Sequence, residues 1–204
     1  MLSVVGDHGV HARYVDAEER KAELVEICTD AMATEVASAE RNAELVEWFR
    51  FHKRELKRLR DGFGLEQSGT TGVMRWIVET FVLDEEDAVD PEGSFARQGV
   101  EQAREQAATA SAFVALTTEQ NRRVDQLNVG RSYLRFQLMA TANEVATHPL
   151  SQATEEYADM APVRERLYEA LEVSPEATVQ MFVRAGYAER VPHAPRRPVG
   201  EFVR

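Results

Sequence analysis

The sequence contains a single cysteine, Cys28, among its 204 residues. One cysteine excludes a disulfide within the chain, and it excludes any cysteine pair that could hold a metal or carry out thiol redox chemistry. Cys28 falls on the apolar side of a predicted helix, where a free cysteine is typically a buried core residue. We therefore expect Cys28 to have a structural role only.

The chain also lacks a run of about 20 apolar residues, and it does not start with basic residues followed by an apolar stretch. We therefore expect no membrane span, no signal peptide and a cytoplasmic location. Basic residues are in the minority, with 24 Lys and Arg against 35 Asp and Glu, for a net charge of −11. Binding to nucleic acid or to an anionic membrane needs a basic field over a whole face, so neither is expected.

One basic stretch, HKRELKRLRDG at residues 52 to 62, runs against this acidic background. A nucleic-acid patch is one interpretation of it. On an acidic protein such a stretch is more often a solvated helix face with carboxylate neighbours, and we favour that interpretation.

The composition is that of a globular protein, because 44% of the residues are hydrophobic and nine are Phe. The length predicts a single domain over residues 1–204. Residues 1–94 read as a helical N-terminal part, with a glycine-rich loop at 61–72 and an acidic break at 84–94. Residues 95–204 read as the core, followed by an arginine-containing tail.

Hydrophobic periodicity predicts long helices and few strands, which indicates an α+β layered fold with a sheet that is small for its helices. In the strand at 179–187, Val179, Met181 and Val183 are expected on one side and Phe182 on the other. Other predicted strands are at residues 2–6 and 112–118, and the predicted helices are at 17–37, 42–51, 95–108, 119–145 and 162–174.

The helix at 119–145 carries an apolar stripe of Val124, Leu127, Leu134, Leu138 and Ala142. A glycine inside a helix costs about 1 kcal/mol relative to alanine, so we expect Gly130 to permit a close approach. The sequence HPLSQ then breaks the helix.

The chain ends in PHAPRRPVGEFVR, which places two arginines between prolines. Pro195 and Pro198 restrict the backbone, so Arg196 and Arg197 are presented on a stiff extended segment. Two planar, permanently charged groups held in one geometry suit a phosphate dianion. An ordinary tail with salt bridges is the alternative.

Three segments in order, ATHPLSQATEEYADM (146–160), VQMFVRAGY (179–187) and PHAPRRPV (192–199), resemble the C-terminal half of the nitroreductase superfamily, specifically its Acg-like branch of FMN-binding oxidoreductases. The resemblance is strong from residue 112 to the end and looser over residues 20–83. It implies a nitroreductase-like layered fold, with a small mixed or antiparallel central sheet flanked by long helices.

The resemblance also implies where FMN would bind. Arg196 and Arg197 are similar to the residues that reach the FMN phosphate in this family. The turn at residues 148–152 is similar to the turn that faces the isoalloxazine ring near its N5 and O4 edge. The turn consists of His148, Pro149, Leu150, Ser151 and Gln152. We read His148 as a structural histidine and assign no catalytic residue and no metal ligand.

The implied activity is that of an FMN-dependent oxidoreductase, which reduces nitroaromatic or quinone-like acceptors with NAD(P)H by a ping-pong flavin mechanism. A homodimer is expected, because the superfamily builds its flavin sites at a dimer interface. The apolar segment VMRWIVETFVL at 73–83 is the expected contact. A helical interaction module based on that segment is a further interpretation.

Two departures from the family pattern favour an alternative function. The N-terminal flavin-binding half, with its Arg-rich, Ser-containing motif, is absent, so the chain reads as an incomplete half of a pseudo-dimer that needs a missing N-terminal half. Asn143-Glu144-Val145 stands where the family commonly has Leu-Gly-Leu. The alternative is therefore a non-catalytic flavin-binding or flavin-sequestering protein, or a truncated inactive remnant.

Overall fold

The computed structural model describes residues 5, 8–64, 88–189 and 193–203. The predicted strand at 2–6, apart from Val5, and the apolar segment at 73–83 lie outside the described residues. So do most of the loop at 61–72 and the first four residues of the acidic break at 84–94. The chain divides into two compact units, Met1–Glu35 with Val100–Ala188 and Val36–Gly99 with Glu189–Arg204. We describe each unit by itself, and the single domain stays a prediction.

The described residues form four strands and six α-helices, which confirms the predicted α+β class. The strands are β1 Val10–Val15, β2 Ala112–Thr118, β3 Ala146–Pro149 and β4 Thr178–Gly186. The helices are α1 Glu18–Val36, α2 Ala39–Trp48, α3 Lys53–Leu59, α4 Ser94–Ala108, α5 Arg123–Ala142 and α6 Ala161–Ala170. All four strands belong to one antiparallel sheet of the first unit, in the order β1-β2-β4-β3.

Strand β2 lies inside this sheet, and all seven of its residues are buried. Its side chains alternate between two hydrophobic clusters: Phe113 and Ala115 belong to one, and Val114 and Leu116 to the other. A strand covered on both faces reads as a continuous apolar run, which is why AFVALTT was recognisable as a buried strand.

Helices cover both faces of the sheet. On one face, α1 and α6 contribute Leu24, Ile27 and Leu167 to the cluster around Phe113 and Phe182, whose rings are stacked with centroids 5.5 Å apart. On the other face, α5 contributes Val129 and Phe136. The buried Cys28 belongs to the first cluster, which confirms its structural placement.

The prediction that Val179 shares a side with Met181 and Val183 was wrong. The register between β2 and β4 shifts between Leu116 and Thr117, so Leu116 pairs with Met181 and Thr117 pairs with Val179. Such a β-bulge reverses the side on which the following residues point. Val179 therefore packs with Phe182 in the first cluster, while Val183 lies in the second.

Strands β1 and β3 were not predicted. Both are edge strands of the sheet with mixed exposure, so neither carries a clean alternation of apolar and polar residues. Strand β3 is four residues long and ends in Pro149, a residue that sheets tolerate mainly at an edge. The stretch read as the start of a turn is therefore partly strand.

The predicted stripe on α5 forms one face of the helix, but that face is exposed. Val124, Leu127, Leu134 and Leu138 are 50 to 63% exposed. The buried face of α5 is the opposite one, and it carries Asp125, Val129, Ser132, Phe136 and Ala140. Hydrophobic periodicity found the helix correctly, but it selected the side that points away from the sheet.

The second unit has its own small aromatic core. Phe49 contacts the rings of Phe51, Phe63 and Phe95, with centroids 4.9 to 5.5 Å from its own. The side chain of Arg50 donates from Nε and Nη2 to one oxygen of Asp61, over 3.0 and 2.8 Å. This ion pair fixes the chain on both sides of the segment that contains α3.

The basic stretch at residues 52 to 62 forms α3 and the turn after it. Leu56 is the buried residue of α3, and the charged side chains around it are mostly exposed, as expected for a solvated helix face. None of the described helices is both long and apolar enough to cross a lipid bilayer.

Candidate functional site

The predicted flavin-facing residues begin inside the sheet. His148 and Pro149 are the last residues of β3 and pair with Arg184 and Val183 of β4. The chain then leaves the strand at Leu150, whose amide donates to the carbonyl of Phe182 over 2.8 Å and whose side chain is buried in the core. The side chain and amide of Leu150 are therefore already used within the chain.

In this turn, Ser151 is exposed and Gln152 is half-buried. A short 3₁₀ helix at Gln152–Thr154 follows, with Thr154 donating to the carbonyl of Ser151, and the buried Ala153 anchors it. The first amides of a helical turn have no acceptor in the turn itself. The amides of Ser151 and Gln152 accordingly have no acceptor among the residues that the structure describes, so they are free to meet a ligand.

His148 is held by a neighbour that the sequence reasoning did not select. Nε of Arg184 donates to Nδ1 of His148 over 3.1 Å. Loss of water around the ring, and then the positive charge of Arg184, lower the pKa of His148 below its ordinary value. The imidazole is therefore neutral at pH 7, with its proton on Nε2.

Arg184 itself is partly buried, and burial lowers the pKa of its guanidinium. Its Nη1 donates to the carbonyl oxygen of Gln106. Cys28 is close enough to interact electrostatically with Arg184, but burial raises the pKa of the Cys28 thiol to about 12. The thiol is therefore uncharged at pH 7.

The arginine tail belongs to the second unit. Arg196 and Arg197 are both exposed, and within the described part of the chain neither pairs with a carboxylate. The guanidinium carbon of Arg197 lies 5.1 Å from the centre of the Phe202 ring, a cation–π contact that restrains it. The turn at 148–152 lies in the first unit. We therefore describe the turn and the arginine tail separately.

Glu144, which stands where the family commonly has glycine, occupies the left-handed region with φ 58°. It follows the C-cap of α5, where the amide of Glu144 donates to Thr141 and the amide of Val145 donates to Ala140. These two bonds form a Schellman motif, whose left-handed position favours glycine. A glycine would be preferred here for its backbone alone, whatever lies beside it.

The first unit also has a half-open cavity of about 300 Å³ between β1, the start of α1 and the end of α6. Its arginines are already engaged. Nη2 of Arg20 lies 2.8 Å from a carboxylate oxygen of Glu172, and Nη2 of Arg13 donates to the Glu172 carbonyl. Glu172 therefore supplies an acceptor to both arginines of the cavity.

Among the described residues, no group of three His, Cys, Asp or Glu side chains is arranged to hold a metal ion. The residue that sequence reasoning missed is Arg184. In the sequence, Arg184 is notable only as the basic residue of the mostly apolar stretch VQMFVRAGY. That position does not show which groups surround its side chain.

Comparisons with known proteins give a result for the fold alone. No family model and no curated protein matches the sequence. Among solved structures, the chain is similar to the FMN-dependent nitroreductase NfnB from Mycobacterium smegmatis, solved in complex with NADPH. The TM-score is 0.52 at 16% identity, over 96% of this chain and 78% of that chain.

A nitroreductase-like family protein from Bacillus cereus has a TM-score of 0.46 at 11% identity, over 100% of this chain and 80% of that chain. The likeness to NfnB shows that the chain has a nitroreductase-like fold, as the sequence resemblance predicted. The Acg-like branch and the missing N-terminal half stay predictions.

Proposed function

We propose that the protein is an FMN-dependent oxidoreductase of the nitroreductase type, which uses NAD(P)H to reduce nitroaromatic or quinone-like acceptors by ping-pong turnover. The observation that carries this proposal is the likeness in fold to an FMN-dependent nitroreductase over 96% of the chain. The free groups of the two candidate segments support it.

Arg196 and Arg197 fit the phosphate of FMN by their chemistry. Their guanidinium groups are exposed and have no carboxylate partner within the described residues. Guanidinium groups bind phosphate oxygens through paired, charge-assisted hydrogen bonds. The prolines on either side hold the backbone extended, which reduces the entropy lost when the pair binds a ligand.

The turn after β3 fits the flavin ring. The free amides of Ser151 and Gln152 are donors, and donors aimed at a site where negative charge develops stabilise that charge. His148 and Pro149 form the exposed end of the strand before them. Bound FMN would supply the hydride and electron transfer chemistry, and the protein would bind and orient it.

We propose that the protein acts as a homodimer, and the exposed face of α5 is the surface that supports this. Its four large apolar side chains, Val124, Leu127, Leu134 and Leu138, are each at least half exposed in the single chain. A Cβ at Gly130, near this face, would meet no atom within 4 Å. The close approach predicted for Gly130 is therefore not made by the described residues, and a second copy of α5 would make it.

Flavin binding is the experiment that tests the proposed function. The purified protein is titrated with FMN and with riboflavin, and flavin fluorescence is followed. Binding of FMN that is at least tenfold tighter than that of riboflavin is expected if the phosphate is held by arginine. The variants Arg196→Gln and Arg197→Gln should remove this preference, while Arg166→Gln, whose guanidinium pairs with Asp30, should keep it.

The second half of the experiment separates an enzyme from a binding protein. NADH or NADPH is added to the flavin-loaded protein without oxygen, and the flavin absorbance is recorded. Bleaching supports the oxidoreductase. Bound flavin that does not bleach supports the non-catalytic flavin-binding protein, and failure to bind either flavin contradicts both and favours the inactive remnant.

A further inference from the structure

Like Arg13 and Arg164 of its unit, Arg184 donates to a backbone carbonyl and pairs with no carboxylate among the described residues. It differs from both in its second acceptor, Nδ1 of His148. Arg20, Arg104 and Arg166 each have a carboxylate oxygen within 3.0 Å. Arg184 is less exposed than a surface arginine, yet no carboxylate among the described residues pairs with it. The chain carries 35 acidic side chains, so the missing partner does not reflect a shortage of carboxylates in the protein.

The two acceptors that do contact Arg184 are both neutral. One is the carbonyl oxygen of Gln106 on α4, and the other is Nδ1 of His148 on β3. Together they hold the guanidinium in one orientation without neutralising it. The third neighbour, Cys28 on α1, is an uncharged thiol at pH 7.

Arg184 is half-buried, and partial loss of water around a cation without a counterion costs free energy. A ligand that brings a negative charge to this position would reduce that cost. Nη2 of Arg184 has no hydrogen-bond acceptor within the described residues, so its N–H donors are available to a ligand. The neutral His148 ring adds an Nε2–H donor, because its Nδ1 is occupied as an acceptor. The pair therefore offers a fixed positive charge and donors to one kind of partner, an oxyanion.

We propose that Arg184 and His148 form an oxyanion-binding site that takes the phosphate or carboxylate group of a small molecule. The site lies at the end of β3, next to Leu150, Ser151 and Gln152. It does not depend on the proposed flavin chemistry. If that chemistry holds, the oxyanion is either a phosphate of the cofactor or nicotinamide donor, or the carboxylate of an aromatic acceptor.

The test is a titration of the flavin-free protein with inorganic phosphate at pH 7.5 and constant ionic strength. The ring proton on Cε1 of His148 is followed by NMR, and the variant His148→Gln assigns it among the five histidines. A saturable shift is expected in the wild type. In Arg184→Gln the affinity should fall at least tenfold, since a hydrogen bond to a charged group contributes that much.

Two further variants keep the result interpretable. Arg184→Lys retains the charge and loses the planar fork, so it should bind phosphate with an affinity between the wild type and Arg184→Gln. Arg166→Gln removes an arginine of the same unit and should titrate like the wild type. If Arg184→Gln fails to fold, the comparison of Arg184→Lys with Arg166→Gln decides the question. The absence of a saturable shift in the wild type, or an unchanged shift in the Arg184 variants, overturns the proposal.

Competition identifies the source of the oxyanion. Displacement of phosphate by FMN or NADPH, but not by riboflavin, indicates a phosphate group of cofactor or donor. Displacement by 4-nitrobenzoate, but not by nitrobenzene, indicates the carboxylate of an acceptor. A protein that binds phosphate at this site and binds no flavin would retain this inference while the proposed function fails.

Discussion

Arg184 and His148 face each other across the β3–β4 strand pair, and Nε of Arg184 donates to Nδ1 of His148 over 3.1 Å. This contact ties the protonation state of the histidine to a neighbour 36 positions away in the chain. It also decides that the ring acts as an acceptor toward the sheet and as a donor on its other side.

We predict that Arg184→Gln raises the pKa of His148 toward the ordinary value of about 6.5. The variant removes the positive charge that disfavours imidazolium, although the loss of water around the ring remains. An NMR titration of the Cε1 proton measures the change. A His148 pKa that is the same in both proteins would show that Arg184 does not control the ring.

The lowered pKa of His148 also predicts how the stability of the protein depends on pH. A histidine whose pKa is lowered by folding binds fewer protons in the native than in the unfolded state, so its contribution is fully present above the unfolded pKa. It is lost as the pH falls from about 6.5 through the lowered value. Urea denaturation between pH 7.5 and 5 should therefore show a steeper loss of stability in the wild type than in His148→Gln.

We predict that Glu144→Gly stabilises the protein by about 0.5–1 kcal/mol. The gain comes from relief of the left-handed backbone at φ 58°, reduced by the greater freedom of glycine in the unfolded chain. Glu144→Ala is the matched control and should bring no gain, since alanine has the same Cβ. Denaturant unfolding measures both variants.

Glu172 provides a second comparison for this prediction. It ends α6 in the same left-handed conformation, with φ 53°, but its carboxylate also pairs with Arg20. Glu172→Gly should therefore stabilise by less than Glu144→Gly, because it loses a surface ion pair of at most about 1 kcal/mol. A larger gain at Glu172 would contradict the backbone explanation.

Gly130→Ala should separate the stability of the chain from its self-association. Alanine is about 1 kcal/mol better than glycine inside a helix, and its Cβ would meet no atom of the described residues within 4 Å. We expect a gain of roughly this size at low protein concentration and a weaker dimer by analytical ultracentrifugation. Leu134→Glu, on the exposed face, should also abolish the dimer. A wild-type protein that is monomeric at all concentrations would exclude this use of the α5 face.

Gly62→Ala should destabilise the second unit by at least about 2 kcal/mol. Gly62 has φ 65°, and an added Cβ would lie 2.2 Å from the carbonyl oxygen of Trp48, a backbone atom that cannot move away alone. The tryptophan fluorescence of Trp48 under denaturant can follow this unit. Gly200→Ala is the control, since apart from its chain neighbours an added Cβ there would meet no atom of the described residues within 4 Å. It should leave stability nearly unchanged.

Sequence reasoning succeeded where the residues of a single segment determine its structure. Leu24, Cys28 and Ala31 recur at helical spacing, so α1 was predicted within one residue of its observed bounds. Strand β2 is apolar at nearly every position because both of its faces are covered.

It failed where the outcome depends on a partner strand or on the far side of an element. A bulge between β2 and β4 turned Val179 to the other face of the sheet, and edge strand β3 has too little pattern of its own. Periodicity showed that α5 has an apolar stripe at Leu127 and Leu134. It could not show that the sheet binds the opposite face.

The amino-acid sequence by itself determined the α+β class, the main helices and the buried strand β2, because these follow from periodic burial within single segments. Only the tertiary structure decided that Arg184 lies against His148, that the stripe on α5 is exposed, and that Leu150 belongs to the core while Ser151 and Gln152 are free. Those outcomes depend on which distant segments meet, and sheet register and packing set that.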